Sequence, residues 1–109
     1  MDTETIERVK TVIQQVAAEE SMELAELVVF GSRVRDDYRA DSDVDILIVS
    51  PAFDGVPWNK RPGPFYEAWD YDTLPTPEFI CLTPDEFAEK KERQPHIVRT
   101  AVENGVSLA

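Results

Sequence analysis

Apolar residues along this chain fall into short blocks whose period changes from helical to strand-like and back. From Thr3 to about Glu20, Ile6, Val9, Ile13, Val16 and Ala17 recur at helical spacing, which predicts an amphipathic helix lying on a sheet, with Asp2 or Thr3 as its N-cap. Ser21 to Glu26 makes a loop into a first strand, Leu27–Phe30. The stretch from Val28 to Val49, VVFGSRVRDDYRADSDVDILIV, then reads as strand, sharp turn at Gly31-Ser32, short helix, loop and second strand. Pro51 to Pro64 holds four prolines and two glycines in fourteen residues, which predicts a loop without regular structure. A short helix over Phe65–Tyr71 would bury Phe65, Ala68 and Trp69. Pro77–Thr83, PEFICLT, reads as a third strand. Helices follow over Pro84–Glu92, with Pro84 at N1, and over Pro95–Asn104, with Gly105 as C′ residue, before a short edge strand at Val106–Leu108. The pattern describes an α/β (α+β) chain with a small mixed sheet of three to four strands and helices packed mainly on one face.

The candidate chemistry lies at the corners of the first two strands. Strand side chains alternate faces, so Asp43 and Asp45 point one way while Val44, Ile46 and Ile48 point the other. Two carboxylates at i and i+2 on a buried strand repel each other and resist desolvation, an arrangement that a cation compensates. Mg²⁺ prefers such hard oxygen ligands and is usually held by one or two carboxylates together with substrate phosphates. Gly31 lets a phosphate approach the backbone, and Ser32 offers a hydroxyl and an N–H at a helix start, where the dipole favours an anion. Arg33 follows within reach of phosphate, whereas Arg35 and Arg39 read as charge balance. Acid pairs two apart also occur at Asp2/Glu4, Asp41/Asp43 and Asp70/Asp72, so the pair alone is weak. Its combination with a Gly-Ser turn, each abutting an apolar β-branched run, favours a metal-phosphate site over a bland acidic loop. In the proline-rich loop, Trp58, Lys60 and Arg61 are able to cover a nucleotide base and its phosphates; the alternative, Trp58 packed on the core with both cations solvated, stays open.

Composition narrows the picture. A chain of 109 residues with 42% hydrophobic content supports one domain over 1–109 and leaves no room for a second. No apolar run approaches the ~20 residues that span a bilayer, and the N-terminus MDTETIERVK is too charged for a signal peptide, so a cytoplasmic location without membrane association is expected. The single cysteine, Cys81, reads as a small buried hydrophobe, and the single histidine, His96, has no Cys or His companions for a zinc site. The formal charge of −11, with four lysines and seven arginines, argues against a nucleic-acid groove. Its spread along the chain fits equally a protein adapted to high salt and an ordinary acidic cytoplasmic one.

Gly31-Ser32, ten residues, and then Asp43-Val44-Asp45 resemble the signature of the polymerase-β-type nucleotidyltransferases, in particular their minimal single-domain, antitoxin-like prokaryotic members. The likeness runs from about Leu27 to Leu108, with GSRVR and SDVDILIV as its most specific parts. The chain departs from many minimal members at Asp36, where they carry glycine, and at Glu78, where they often carry aspartate. The resemblance implies a polymerase-β-like fold and Mg²⁺-dependent transfer of a nucleoside monophosphate, AMP from ATP or its counterpart from another nucleoside triphosphate. Asp43 and Asp45 would bind two divalent ions, with Mn²⁺ an alternative to Mg²⁺. Gly31 and Ser32 would hold the triphosphate with Arg33, Lys60 and Arg61 around it, and Glu78 would supply the third carboxylate as base or metal ligand. It implies as acceptor a hydroxyl on a small helical HEPN-type toxin protein. The alternative is a catalytically silent antitoxin that neutralises such a partner by contact.

Overall fold

The computed structural model describes residues 3–30, 44–91 and 106–107. Helix α1 (Thr3–Glu19) leads to strand β1 (Glu26–Phe30); strand β2 (Val44–Val49) is followed by helix α2 (Gly63–Ala68), strand β3 (Pro77–Leu82), helix α3 (Pro84–Lys91) and the two-residue strand β4 (Val106–Ser107). The expected helix over 95–104 and the short helix after Gly31-Ser32 lie outside the described residues. The sheet is mixed and four-stranded in the order β3-β2-β1-β4, with β1 antiparallel to both β2 and β4 and β2 parallel to β3. No helix among the described residues is long and apolar enough to cross a membrane.

Strand β2 is central, and its composition explains why. Ile46, Leu47, Ile48 and Val49 are all buried, so both of its faces are covered, as a β-branched run without alternation requires. One face of the sheet (Leu27, Val29, Ile46, Ile48, Phe79) packs on Val9, Ile13 and Val16 of α1 and on Phe65 of α2. Trp69 belongs to the same core, edge-on to Phe79, and its indole N–H donates to the Pro75 carbonyl at 3.0 Å. The other face gathers Val28, Leu47, Val49 and Leu82 against Phe87 of α3. Helices α1 and α2 thus share one face, as expected, and α3 takes part of the other.

Two ends of helices show how local chemistry sets the boundaries. Helix α1 stops in a Schellman turn: Met22 N–H donates to Ala17 O at 2.7 Å and Ser21 N–H to Ala18 O at 3.3 Å, with Ser21 in the left-handed region at φ 54°. Helix α3 starts in a reciprocal capping box, Thr83 N–H donating to Glu86 Oε1 at 2.8 Å and Glu86 N–H to Thr83 Oγ1 at 3.2 Å, with Pro84 in between.

The segment 51–64 departs from the expected structureless loop. It contains two 3₁₀ turns, Pro51–Phe53 and Trp58–Lys60, and runs into α2 already at Gly63. Its order comes from two anchors. Phe53 is buried in the core, and Arg61, 8% exposed, is turned inward instead of out to solvent or ligand. Arg61 Nε donates to Val56 O at 2.9 Å, and its Nη1 donates to Cys81 O at 3.1 Å and to Glu86 Oε1 at 2.6 Å. Its guanidinium carbon lies over the rings of Phe53 and Trp58 at 6.0 and 5.4 Å. The planar fork therefore ties loop, β3 edge and the start of α3 together. Trp58 joins no core cluster: it is 53% exposed, with Lys90 over its ring at 5.6 Å. Burial pushes the Cys81 thiol up to about 12, which leaves it the inert hydrophobe that its place in a strand suggested.

Two stability outcomes follow. Ser21→Gly removes the Cβ strain of a left-handed residue and, after the extra chain entropy of glycine, is expected to stabilise by about 0.5–1 kcal/mol, read as a rise of a few degrees in Tm. The Arg61 and Thr83 hydrogen bonds hold the Glu86 carboxyl below its ordinary value. A lowered folded-state pKa means that the stabilisation is full above the unfolded pKa and fades as pH falls through the folded one. Because the Glu86 side chain is about a third exposed, Glu86→Gln is expected to cost about 1–2 kcal/mol at pH 7 rather than the value for a fully buried pair. Wild-type and variant melting curves should converge as pH falls through the lowered folded-state value of Glu86; a gap independent of pH would show that charge is not what Glu86 contributes.

Candidate active site

The parallel pairing of β2 with β3 puts Asp45 directly beside Glu78. Residues in register on neighbouring strands share a face about 4.8 Å apart, and this face is the one away from α1 and α2, since Val44 and Ile46 fill the opposite one. Asp45 is half-buried and Glu78 is exposed, both at the starts of their strands. On the other side of β2, antiparallel pairing sets Phe30, the last residue of β1, opposite Asp45. The row Phe30–Asp45–Glu78 thus crosses three strands at one end of the sheet.

Gly31, Ser32, Arg33 and Asp43 lie outside the described residues. What the structure does fix is where they attach: Gly31 follows Phe30, and Asp43 precedes Val44, whose N–H donates to Thr76 O at 2.9 Å just before β3. The two halves of the Gly-Ser…Asp-x-Asp motif are therefore joined to the strand ends that flank Asp45 and Glu78. Among the described residues no group of three or more acids, histidines or cysteines stands ready for a metal ion, and Asp45 with Glu78 is the pair that the register brings together.

Lys60 and Arg61 do not join this pair. Arg61 bonds to Cys81 O, and Cys81 is in register with Ile48, three residues along from the Asp45–Glu78 rung and so about 10 Å farther up the sheet. Its donors serve the protein's own carbonyls and Glu86, which corrects the expectation that it meets nucleotide phosphates. Lys60 is exposed beside it, at the same far end. The reason is topological: the loop leaves the C-terminal end of β2, whereas the carboxylates sit at its N-terminal end. Sequence reasoning also missed Glu86, although Thr83-Pro84-Asp85-Glu86 carries the capping-box spacing that could have identified half of its role.

Chemically, two hard-oxygen donors on adjacent strands repel each other, and like charges directly opposite destabilise a sheet unless compensated. The donor set fits a divalent cation with oxygen preference. No curated protein sequence matches this chain. A crystal structure of a Sulfolobus solfataricus protein assigned as a nucleotidyltransferase is similar in fold, with a TM-score of 0.59 at 24% identity over 94% of this chain and 80% of that one. The model of the nucleotidyltransferase domain family matches residues 9–108, from α1 through β4, and so includes the Gly-Ser turn, the aspartate pair and Glu78. By that match, the chain belongs to the nucleotidyltransferase domain family and is a transferase of nucleotidyl groups.

Proposed function

We propose that this protein is a Mg²⁺-dependent adenylyltransferase of one domain that moves AMP from ATP to a hydroxyl on a partner protein, a small helical toxin of HEPN type. The observation that carries the reading is the Asp45–Glu78 rung beside the end of β1, in a chain whose family transfers nucleotides. Asp43 and Asp45 would hold the metal, with Glu78 as base or third ligand. Bound there, divalent metal neutralises charge on the phosphates and on the leaving pyrophosphate. Gly31, Ser32 and Arg33 would hold the β- and γ-phosphates and fix the α-phosphorus for in-line attack. Glu78, exposed at the sheet edge, would take the proton of the acceptor hydroxyl as its oxygen bonds to the α-phosphorus and the bond to pyrophosphate breaks. A protein acceptor suits a chain of net charge −11, which repels nucleic acid.

The test is intact mass of the toxin after incubation with ATP and Mg²⁺. Wild type is expected to add one AMP group; Asp45→Asn should lower the rate at least about a hundredfold while the fold persists. Glu78→Gln should cut turnover by about 10²–10⁴ with little change in triphosphate affinity, the mark of a base rather than a binding group. Protection from toxicity by the Asp45→Asn protein, with no adduct from either protein, would instead identify a contact-only antitoxin.

A further inference from the structure

The row Phe30–Asp45–Glu78 has a direction. Gly31 and Ser32 attach at its β1 end, directly after Phe30, and β3 forms the edge of the sheet at its other end. In-line displacement at the α-phosphorus puts the attacking oxygen opposite the leaving pyrophosphate. On the transfer reading, on which this inference rests, the β- and γ-phosphates take the β1 end. The acceptor therefore enters from the β3 edge, over Glu78.

The next row on the same face is Val28–Leu47–Ile80, each member two residues along its strand from the row before. It lies about 7 Å farther along the sheet. Leu47 is wholly buried and Val28 is 5% exposed, whereas Ile80 is only partly buried. An edge position does not account for the difference, because Leu82, on the same strand and the same face, is wholly buried. The open apolar side chain on β3 is thus the one next to exposed Glu78. An isoleucine neither moves a proton nor binds metal; what it offers is area for an apolar group. We propose that Ile80 is a specificity-determining residue for the acceptor. It seats an apolar side chain of the partner protein that lies about 7 Å from the hydroxyl, which is thereby held over Glu78. A hydroxyl in a wholly polar stretch of the partner lacks this contact and is a poorer acceptor.

Valine and threonine have nearly the same shape and both suit a strand, so Ile80→Val and Ile80→Thr separate the apolar contact from the fold. The probe is the small helical toxin of the transfer reading, and its binding to the whole chain is measured by calorimetry without nucleotide or metal. Ile80→Val is expected to bind the toxin within about threefold of wild type, and Ile80→Thr about tenfold more weakly. In the transfer assay Ile80→Thr should raise KM for the toxin about tenfold with little change in kcat, while affinity for ATP with Mg²⁺ stays as in wild type. A merely structural role would move ATP affinity and kcat as well. Equal toxin binding by all three proteins, or no binding by wild type, would overturn the proposal. So would a loss of ATP affinity in Ile80→Thr, which would put the nucleoside rather than the acceptor against Ile80. Toxin binding that follows the Ile80 substitutions without any AMP adduct would support the contact and sink the transfer reading, so the two fail separately.

Discussion

The register of β2 between an antiparallel and a parallel neighbour is the constraint on which the rest depends. With a side-chain period of two, a slip by one residue would turn Asp45 into the α1 face and Val44 or Ile46 out of it. Register is therefore enforced by hydrophobic burial: Val44, Ile46 and Ile48 are wholly buried on one side and Leu47 and Val49 on the other. The same burial that stabilises the strand fixes which carboxylate meets which. Each like-charged rung costs something, and the sheet tolerates it because both acids sit at strand starts, with Glu78 exposed to water.

A second device secures the far end. A parallel partner for β2 demands a crossover, and here the crossover is the stretch 50–76, much of it poor in regular structure. Such a stretch would be an entropic liability. Arg61 offsets that by bonding to the loop at Val56, to the outward carbonyl of Cys81 on edge strand β3 and to Glu86 at the head of α3. One buried cation thus does what several apolar contacts would otherwise have to do, and Glu86 serves both as its counterion and as half of a helix cap. The arrangement couples loop order to the ionisation of a single carboxylate.

Much of this was legible from residue order alone. The period of α1, the runs Leu27–Phe30 and Val44–Val49, and PEFICL before a Thr-Pro helix start are local patterns, and the elements formed within a residue or two of the expected bounds. Glu78 could be placed at a strand start, but its adjacency to Asp45 is a fact of pairing between strands 33 residues apart in number, 78 minus 45, which no local pattern encodes. Arg61 failed for a related reason. A cation in a proline- and glycine-rich loop is usually solvated, and only the fold shows that Cys81 O and Glu86 converge on it. Ser21 in a left-handed turn was unreadable because serine carries no signal for that conformation, whereas glycine would have.

The face chosen by the crossover decides how open the acidic end can be. Helix α2 and Trp69, both within the crossover, pack with α1 on the side of Val44, Ile46 and Phe79. Among the described residues the opposite side carries the cluster Val28, Leu47, Val49 and Leu82, with Ile80 and, from α3, Phe87 packed against it. Had the crossover packed on the other face, its apolar residues would lie over the two carboxylates and desolvate them. Instead the apolar requirement of β2 is met beside the first turns of the chain, and Glu78 remains open to an incoming acceptor.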